Sequence, residues 1–293
     1  MDEKIKKAVD RLKFAAEASE RYYGKPLVIT YSGGKDSDVC LELAKIAGIQ
    51  YEVEHNHTTA DAPQTVYHIR DKFNSLEQHG IKCTINRPRY KGKPTSIWDL
   101  IPQKKMPPTR LIRYCCIVLK EGGGKNRHIV TGVRWAESPN RKKGRGIYED
   151  INRNRNKRII LNNDNDDKRK WFERCELQAK TVCNPIIDWT DVDVLDFLQD
   201  QKVKVNPLYC MGYKRVGCVG CPMAGKMRYQ EFRDFPQYKA NYIKSFARML
   251  DARKEAGLEN KTSWESGEDV FRWWLEEDWR QITMDDLLDG GRR

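Results

Sequence analysis

Two groups of residues in this chain have the types and spacing that chemistry needs. The first is the run Ser32-Gly33-Gly34-Lys35-Asp36-Ser37, which directly follows a short apolar stretch at 27–31. Paired glycines let backbone amides approach a ligand, and the positive end of a following helix attracts anions. Two serine hydroxyls and the Lys35 ammonium add further donors. The run therefore predicts a loop that cradles the phosphates of a nucleotide.

This phosphate loop differs from the Walker A loop, in which a lysine stands next to a serine or threonine. Here Asp36 separates Lys35 from Ser37. A tight glycine turn between a strand and a helix, with no ligand, is the structural alternative.

The second group consists of four cysteines, the adjacent pair Cys115-Cys116 and the C-x-x-C pair Cys218 and Cys221. The chain has nine cysteines, and an odd number in a chain of this size argues against a disulfide framework. Four thiolates bind zinc or a [4Fe–4S] cluster. Adjacent cysteines on a helix point about 100° apart, which favours the larger cluster. A zinc ion and buried cysteines without a ligand are the alternative interpretations. For Cys210 the alternatives are a substitute ligand, a persulfide carrier and a core residue.

The elements that must position these residues alternate along the chain. Strands are predicted at 27–31, 51–54, 81–85 and 129–131, with helices at 1–23, 39–47, 63–79, 95–101 and 111–120. This order predicts an α/β fold, a parallel sheet flanked by helices. Residues 1–225 form the predicted nucleotide-binding domain, with an inserted basic loop or hairpin, expected to be mobile, at about 137–170. Residues 226–293 form a predicted helical region, whose tryptophans are expected to pack in a core.

The charge of the chain is uneven. The formal net charge is +12, and three segments, 82–113, 141–160 and 202–228, are strongly basic. Such clustering indicates a polyanionic partner, although a solvated basic face is the simpler interpretation. No run approaches the roughly 18 apolar residues of a membrane helix, and the residues after Met1 are charged rather than apolar. We therefore expect a cytoplasmic protein with no membrane partner.

Several sequence blocks, taken together, resemble the phosphoadenosine and adenosine phosphosulfate reductases, a branch of the PP-loop ATP pyrophosphatases with an adenine nucleotide α-hydrolase-like fold. The blocks are S32-GGKDS, H57-TTADAPQT, Y114-CCIVLK, T131-GVRWAES, N184-PIIDWTDVDV and N206-PLYCMGYKRVGCVGCP. Their order and spacing extend over about 26–225.

The resemblance implies roles for individual residues. Ser32, Gly33, Gly34, Asp36 and Ser37 would hold the phosphates of ATP or of a sulfonucleotide, Thr58 and Asp61 would line the nucleotide pocket, and Gly132 and Arg134 would lie near ribose or phosphate. Lys35, Asp36, Lys120 and Arg134 would act in catalysis, with Mg²⁺ on the phosphates and Arg141 as a further helper. The arrangement of Cys115, Cys116, Cys218 and Cys221 resembles that of the reductases that carry an iron–sulfur cluster.

One feature departs from the sulfonucleotide reductases, which attack sulfate sulfur with a cysteine near the C-terminus. Residues 222–293 contain no cysteine, and that step requires a thiolate. We therefore expect an iron–sulfur ATP pyrophosphatase that adenylates a nucleic acid for sulfur transfer, similar to DNA phosphorothioation or tRNA thiolation enzymes. A cysteine desulfurase would be the sulfur donor, and the protein could be an oligomer. The alternatives are a reductase with a relocated thiol and a nucleic-acid-binding module with a degenerate loop.

Overall fold

The computed structural model describes residues 1–124, 126–151, 159–161, 180–258, 262 and 264–276. Cys175, Trp279 and residues 152–158 and 162–170 of the predicted basic insertion lie outside these residues. The chain folds as two compact units. The first unit comprises Met1–Asn56, Pro63–Asn86 and Gly123–Val216, and the second unit comprises His57–Ala62, Arg87–Gly122 and Gly217–Arg293. The domain boundary predicted after residue 225 stays a prediction.

The described residues form nine strands and ten α-helices. The strands are β1 (Leu27–Thr30), β2 (Tyr51–Asn56), β3 (Cys83–Asn86), β4 (Arg89–Tyr90), β5 (Lys93–Pro94), β6 (His128–Val130), β7 (Tyr148–Ile151), β8 (Ile159–Leu161) and β9 (Lys180–Cys183). The helices are α1 (Asp2–Tyr23), α2 (Lys35–Ala47), α3 (Pro63–Gln78), α4 (Ile97–Lys104), α5 (Tyr114–Leu119), α6 (Pro139–Gly144), α7 (Asp191–Asp200), α8 (Met227–Asp234), α9 (Pro236–Lys254) and α10 (Gly267–Leu275).

The first unit is built on a seven-stranded sheet of order β3-β2-β1-β6-β9-β7-β8. The strands from β3 to β9 in this order are parallel, and β7 pairs antiparallel with both β9 and β8. Leu27 and Ile29 pack into the main core, whereas Val28 faces a smaller apolar cluster on the other side. A strand that is buried on both faces is typical of a parallel sheet covered by helices. The predicted α/β fold is confirmed.

The observed elements differ from the predicted ones mainly at their ends. The third strand begins at Cys83 rather than Ile81. Strand β9 was not predicted, because only Val182 and Cys183 in it are apolar and its burial comes from its neighbours β6 and β7. Strands β7 and β8 form a hairpin inside the segment predicted as a loop or hairpin. Thr190 caps α7, since its side chain accepts a hydrogen bond from the Asp193 amide.

The second unit is mainly helical. Helix α9 packs against α4 and α10, and an aromatic cluster of Phe232, Tyr242, Phe246, Phe271 and Trp274 fills its centre. Trp274 is buried, as expected for a packing role. Strands β4 and β5 form a separate two-stranded hairpin. Among the described residues, no helix combines the length and apolar character needed to cross a membrane.

Candidate nucleotide and cysteine sites

The phosphate loop connects β1 to α2 in the first unit. Gly33 adopts φ 74°, a left-handed conformation that favours glycine, and an added Cβ would lie 3.0 Å from Ile69 Cγ1. The Ser37 hydroxyl donates to the carbonyl of Gly34 at 2.7 Å and lies 3.2 Å from the Ser32 hydroxyl. The turn is therefore held by its own side chains, and α2 begins directly after it, at Lys35.

Charged side chains converge on the first turn of α2. Arg134 Nε donates to Asp36 Oδ1 at 2.7 Å, and Arg134 Nη2 donates to Asp191 Oδ1 at 2.8 Å. Lys35 Nζ donates to the same Asp191 oxygen at 2.7 Å. Burial disfavours the charge on Arg134, but the two carboxylates outweigh it and raise the pKa of Arg134. Hydrogen bonds from Lys35 and then Arg134 lower the pKa of Asp191.

Gly132 lets the segment after β6 approach the phosphate loop. A Cβ at this position would lie 2.9 Å from the backbone carbonyl of Asp36, so any larger residue would push the two segments apart. The structure therefore brings together Gly132, Arg134, Lys35 and Asp36, all of them predicted site residues. Arg141 forms an ion pair with Glu137, whose carboxylate also accepts from the Arg134 amide at 3.1 Å.

Three residues that contact the predicted site residues were not predicted. Tyr209 Oη accepts a hydrogen bond from the Lys35 amide at 2.9 Å, and the buried Asn206 side chain donates to the Gly33 carbonyl at 3.0 Å. Asp191 is the third, through its ion pairs with Lys35 and Arg134. The sequence signal for this contact was Asn206 itself, a polar residue before a proline, which caps the short helix that carries Tyr209.

A buried polar cluster lies under the same turn of α2. Tyr31 Oη donates to Asp38 Oδ1 at 2.6 Å and lies 3.0 Å from His68 Nε2. Burial, and then the Asp38 charge, raise the pKa of Tyr31. Because Tyr31 directly precedes the phosphate loop and Asp38 directly follows it, this hydrogen bond fixes both ends of the loop.

The four predicted metal ligands lie together in the second unit. Cys115, Cys116, Cys218 and Cys221 all line one small cavity of about 30 Å³. Helix α5 carries the first two thiols. A turn closed by a hydrogen bond from the Cys221 amide to the Cys218 carbonyl, 3.2 Å long, carries the other two.

The cysteine cavity is also lined by Lys120, and Thr58 and Asp61 lie beside Cys218. The Cys218 thiol donates to Thr58 Oγ1 at 3.3 Å, and Asp61 forms an isolated β-bridge with Cys218. Thr58 and Asp61 were predicted to line the nucleotide pocket. Their contacts in the second unit are with the cysteine turn, and the nucleotide role stays a prediction.

Positive groups surround the thiols. Thiolates, with Cys218 the strongest contributor, raise the pKa of Lys120. A hydrogen bond from Cys115, together with one from Arg113 at 3.4 Å, lowers the pKa of Cys116, and the same bond between the two thiols raises the pKa of Cys115. None of the eight described cysteines forms a disulfide. Four convergent thiols with cationic neighbours fit a group held by four thiolates, and this donor set suits either a [4Fe–4S] cluster or zinc.

Sequence comparison finds relatives of the chain over most of its length. The phosphoadenosine phosphosulfate reductase domain matches residues 26–224. Two uncharacterized proteins of Methanocaldococcus jannaschii are 28% and 27% identical, over 73% and 78% of the chain but only 40% and 48% of their own lengths. The chain thus spans less than half of these relatives. An adenosine 5′-phosphosulfate reductase of Burkholderia cepacia is 40% identical over 52 residues, which are 18% of the chain and 21% of that protein.

Structural comparison matches the chain to a phosphoadenylyl-sulfate reductase from Candida auris, with a TM-score of 0.45 and 16% identity over 72% of this chain and 87% of that one. A U34-tRNA thiolase from Methanococcus maripaludis with its [4Fe–4S] cluster has a TM-score of 0.35 and 14% identity over 88% and 83% of the two chains. Because the domain match covers more than half of the sequence, the chain belongs to the phosphoadenosine phosphosulfate reductase domain family.

Proposed function

We propose that the chain is an iron–sulfur ATP pyrophosphatase that adenylates a nucleic acid so that sulfur can be introduced. The observation that carries the proposal is the arrangement at the first turn of α2. There Lys35 and Arg134, both held by carboxylates, converge on a glycine loop at a helix N-terminus. This arrangement supports the binding of phosphates at which negative charge develops.

In the proposed reaction, an oxygen of the nucleic acid attacks the α-phosphorus of ATP. The bond to the β-phosphate breaks, and pyrophosphate leaves with the electron pair. Lys35 and Arg134 would stabilise the charge that builds on the departing pyrophosphate, with Mg²⁺ on the phosphates. The terminal sulfur of a persulfide, delivered by a cysteine desulfurase, would then displace AMP and form the new carbon–sulfur or phosphorus–sulfur bond, which leaves the product joined to the carrier cysteine by a disulfide. A second thiol, acting as the two-electron reductant, would cleave this S–S bond and free the thiolated product.

The cysteine cavity would serve the sulfur half of this reaction. Cys115, Cys116, Cys218 and Cys221 would hold the cluster, which would organise or relay sulfur at the site. Lys120, which lines the same cavity, would hold an anionic sulfur species or substrate through its charge.

The test is pyrophosphate release from ATP by anaerobically purified protein, with and without DNA or tRNA. Lys35→Ala should lower the rate by about 100-fold, the typical cost of removing one transition-state donor. Lys45→Ala is the matched control, because Lys45 is on the same helix and also pairs with a carboxylate, that of Glu42. If wild-type protein releases no pyrophosphate with either nucleic acid, the proposal fails.

A specific observation favours a second function, reduction of a sulfonucleotide. Cys210 is exposed and directly follows Tyr209, whose hydroxyl accepts from the Lys35 amide. A thiol at this position could attack the sulfur of a nucleotide bound at the phosphate loop. Sulfite production that is lost in Cys210→Ser and retained in Cys83→Ser would support this alternative, and absence of sulfite under reducing conditions would exclude it.

A further inference from the structure

The β4–β5 hairpin of the second unit carries a concentration of exposed positive charge. Arg87, Arg89, Lys91 and Lys93 are all exposed. Within the part of the chain that the structure describes, none of these four forms an ion pair with a carboxylate. The single acid in 82–113, Asp99, is engaged by Ser96 and by Arg248. The charge of the hairpin is therefore uncompensated.

The tip of the hairpin has an unfavourable backbone for its sequence. Lys91 adopts φ 49° and Gly92 adopts φ 80°, so both turn residues are left-handed, as in a type I′ turn. Asparagine, aspartate or glycine is usual at the first of these positions, whereas a lysine there is strained. Strained residues that persist in a fold cluster at functional positions. Lys91 is exposed and lies in the turn of the hairpin, between β4 and β5.

The hairpin is attached to the helix that carries two of the cysteines. Lys104 Nζ donates to Tyr90 Oη at 2.9 Å and lies 5.9 Å from the centre of the Tyr114 ring. Tyr114 is the first residue of α5 and directly precedes Cys115. Tyr90 and Tyr114 therefore share one lysine, which fixes the basic hairpin next to the cysteine-bearing helix.

We propose that this hairpin binds the phosphate backbone of a nucleic acid and holds it beside α5. The inference deepens the proposed function, on which it rests for the class of substrate. Contacts from arginine and lysine to phosphates are independent of base sequence and release counterions. An acidic membrane surface fits less well, because membrane-binding elements present apolar side chains beside their cations. Here the tip is Lys91-Gly92, and Leu111 is the only exposed large hydrophobic residue between 87 and 113.

Fluorescence anisotropy with a labelled single strand, its duplex and tRNA, over a range of salt concentrations, tests the proposal. The variant R89E/K91E/K93E should reduce the slope of log affinity against log salt by about 2 to 3, roughly one for each lost phosphate contact. The control K6E/K13E/K25E makes the same change in charge at exposed lysines of the first unit. Equal losses in the two variants would overturn the proposal, as would unchanged binding by the hairpin variant.

The single substitution Lys91→Gly separates binding from folding. It removes the cation and also relieves the left-handed strain, so thermal stability should hold or rise while affinity at about 0.1 M salt falls about tenfold. Unchanged affinity would contradict phosphate binding by the hairpin.

Pyrophosphate release, measured in the same samples, distinguishes the two proposals. Hairpin-dependent binding without pyrophosphate release would leave the hairpin assignment standing and reject the adenylation chemistry. Wild-type binding to phosphatidylserine vesicles but to no nucleic acid would reject the hairpin assignment.

Discussion

The phosphate loop and the cysteine cavity differ in how their charged side chains are arranged. At the phosphate loop, Lys35 and Arg134 are already paired with Asp36 and Asp191 within the first unit. In the second unit, four thiols share one small cavity, with the cations Lys120 and Arg113 as neighbours and the Asp61 carboxylate beside Cys218. The phosphate loop is therefore a network of paired opposite charges, whereas the cysteine cavity is lined by four side chains that are ligands of the same kind.

The difference bears on how each region would bind its ligand. A nucleotide at the phosphate loop would have to exchange with existing ion pairs, which suits a substrate that binds and leaves. Four adjacent thiolates repel one another unless a positive centre holds them, and such binding free energy becomes folding free energy. We therefore expect reversible binding in the first unit and a retained group in the second.

The largest expected effect is the loss of the group held by the thiolates. Cys218→Ser removes one of four ligands, so bound metal should fall to a small fraction and the stability of the second unit should fall by several kcal/mol, because structural four-ligand sites contribute about 10 kcal/mol or more. Iron, acid-labile sulfide and zinc contents after anaerobic purification measure the loss and identify the group. Cys83→Ser is the control, since Cys83 is on β3 and does not line the cavity. Equal metal in both variants would contradict a four-thiolate site.

Arg134→Ala should lower pyrophosphate release by about 100-fold or more, because it removes a transition-state donor and leaves two carboxylates unpaired. Arg134→Lys should recover only part of the rate, since lysine restores charge but not the fork that spans Asp36 and Asp191. The matched control for Arg134→Ala is Arg127→Ala, because Arg127 is a half-buried arginine of the same unit that pairs with Glu52. A rate for Arg134→Ala equal to that of this control would remove Arg134 from the mechanism.

Gly220→Ala tests whether the aromatic cluster sets the position of the cysteine turn. Gly220 has φ 76°, and an added Cβ would lie 2.6 Å from Phe232 Cζ and 2.9 Å from Tyr242 Cε2. Left-handed strain of about 1–2 kcal/mol and overpacking of about 1–3 kcal/mol should together lower the free energy of unfolding. Gly257→Ala carries only the strain, because at φ 63° its Cβ would meet nothing within 4 Å. Urea titration of both variants isolates the overpacking contribution, and equal costs would rule it out.

The smallest expected effect is at Asp191, which is largely exposed. Asp191→Asn removes one negative charge beside Lys35 and Arg134, so affinity for pyrophosphate should rise by up to about fivefold, the scale of an exposed ion pair. Lys35 lowers the pKa of Asp191, so the carboxylate of the wild-type protein stays charged even at a pH slightly below about 3.9, the usual pKa of an aspartate. The difference should therefore persist through neutral and mildly acidic pH. Calorimetric titration measures it, with Asp196→Asn on the same helix as the control. Weaker binding by the Asp191 variant would show that the carboxylate organises the site rather than competing with the ligand.

Much of the fold could be predicted because its elements have local signals. The apolar run before Gly33 predicts β1, and Gly48 stops α2 in a left-handed cap, as expected from a glycine at that position. Strand β9 could not be predicted, because its burial depends on pairing with β6 and β7, which are distant in sequence.

The candidate sites divide in the same way. The glycines and hydroxyls of the phosphate loop are contiguous, so their chemistry is visible in the residue order. The contacts of Asp191 and Tyr209 with Lys35 are not, since each joins residues more than 150 positions apart.

The sequence by itself determined the donor types: a glycine loop with two serines before a helix, two cysteine pairs and three basic segments. Only the tertiary structure decided which of these donors lie together and which side chains they contact. It placed both cysteine pairs around one cavity and paired Lys35 and Arg134 with Asp191. It also set Thr58 and Asp61 beside Cys218. The physical reason is that donor chemistry belongs to single side chains, whereas convergence depends on long-range packing that no local pattern encodes.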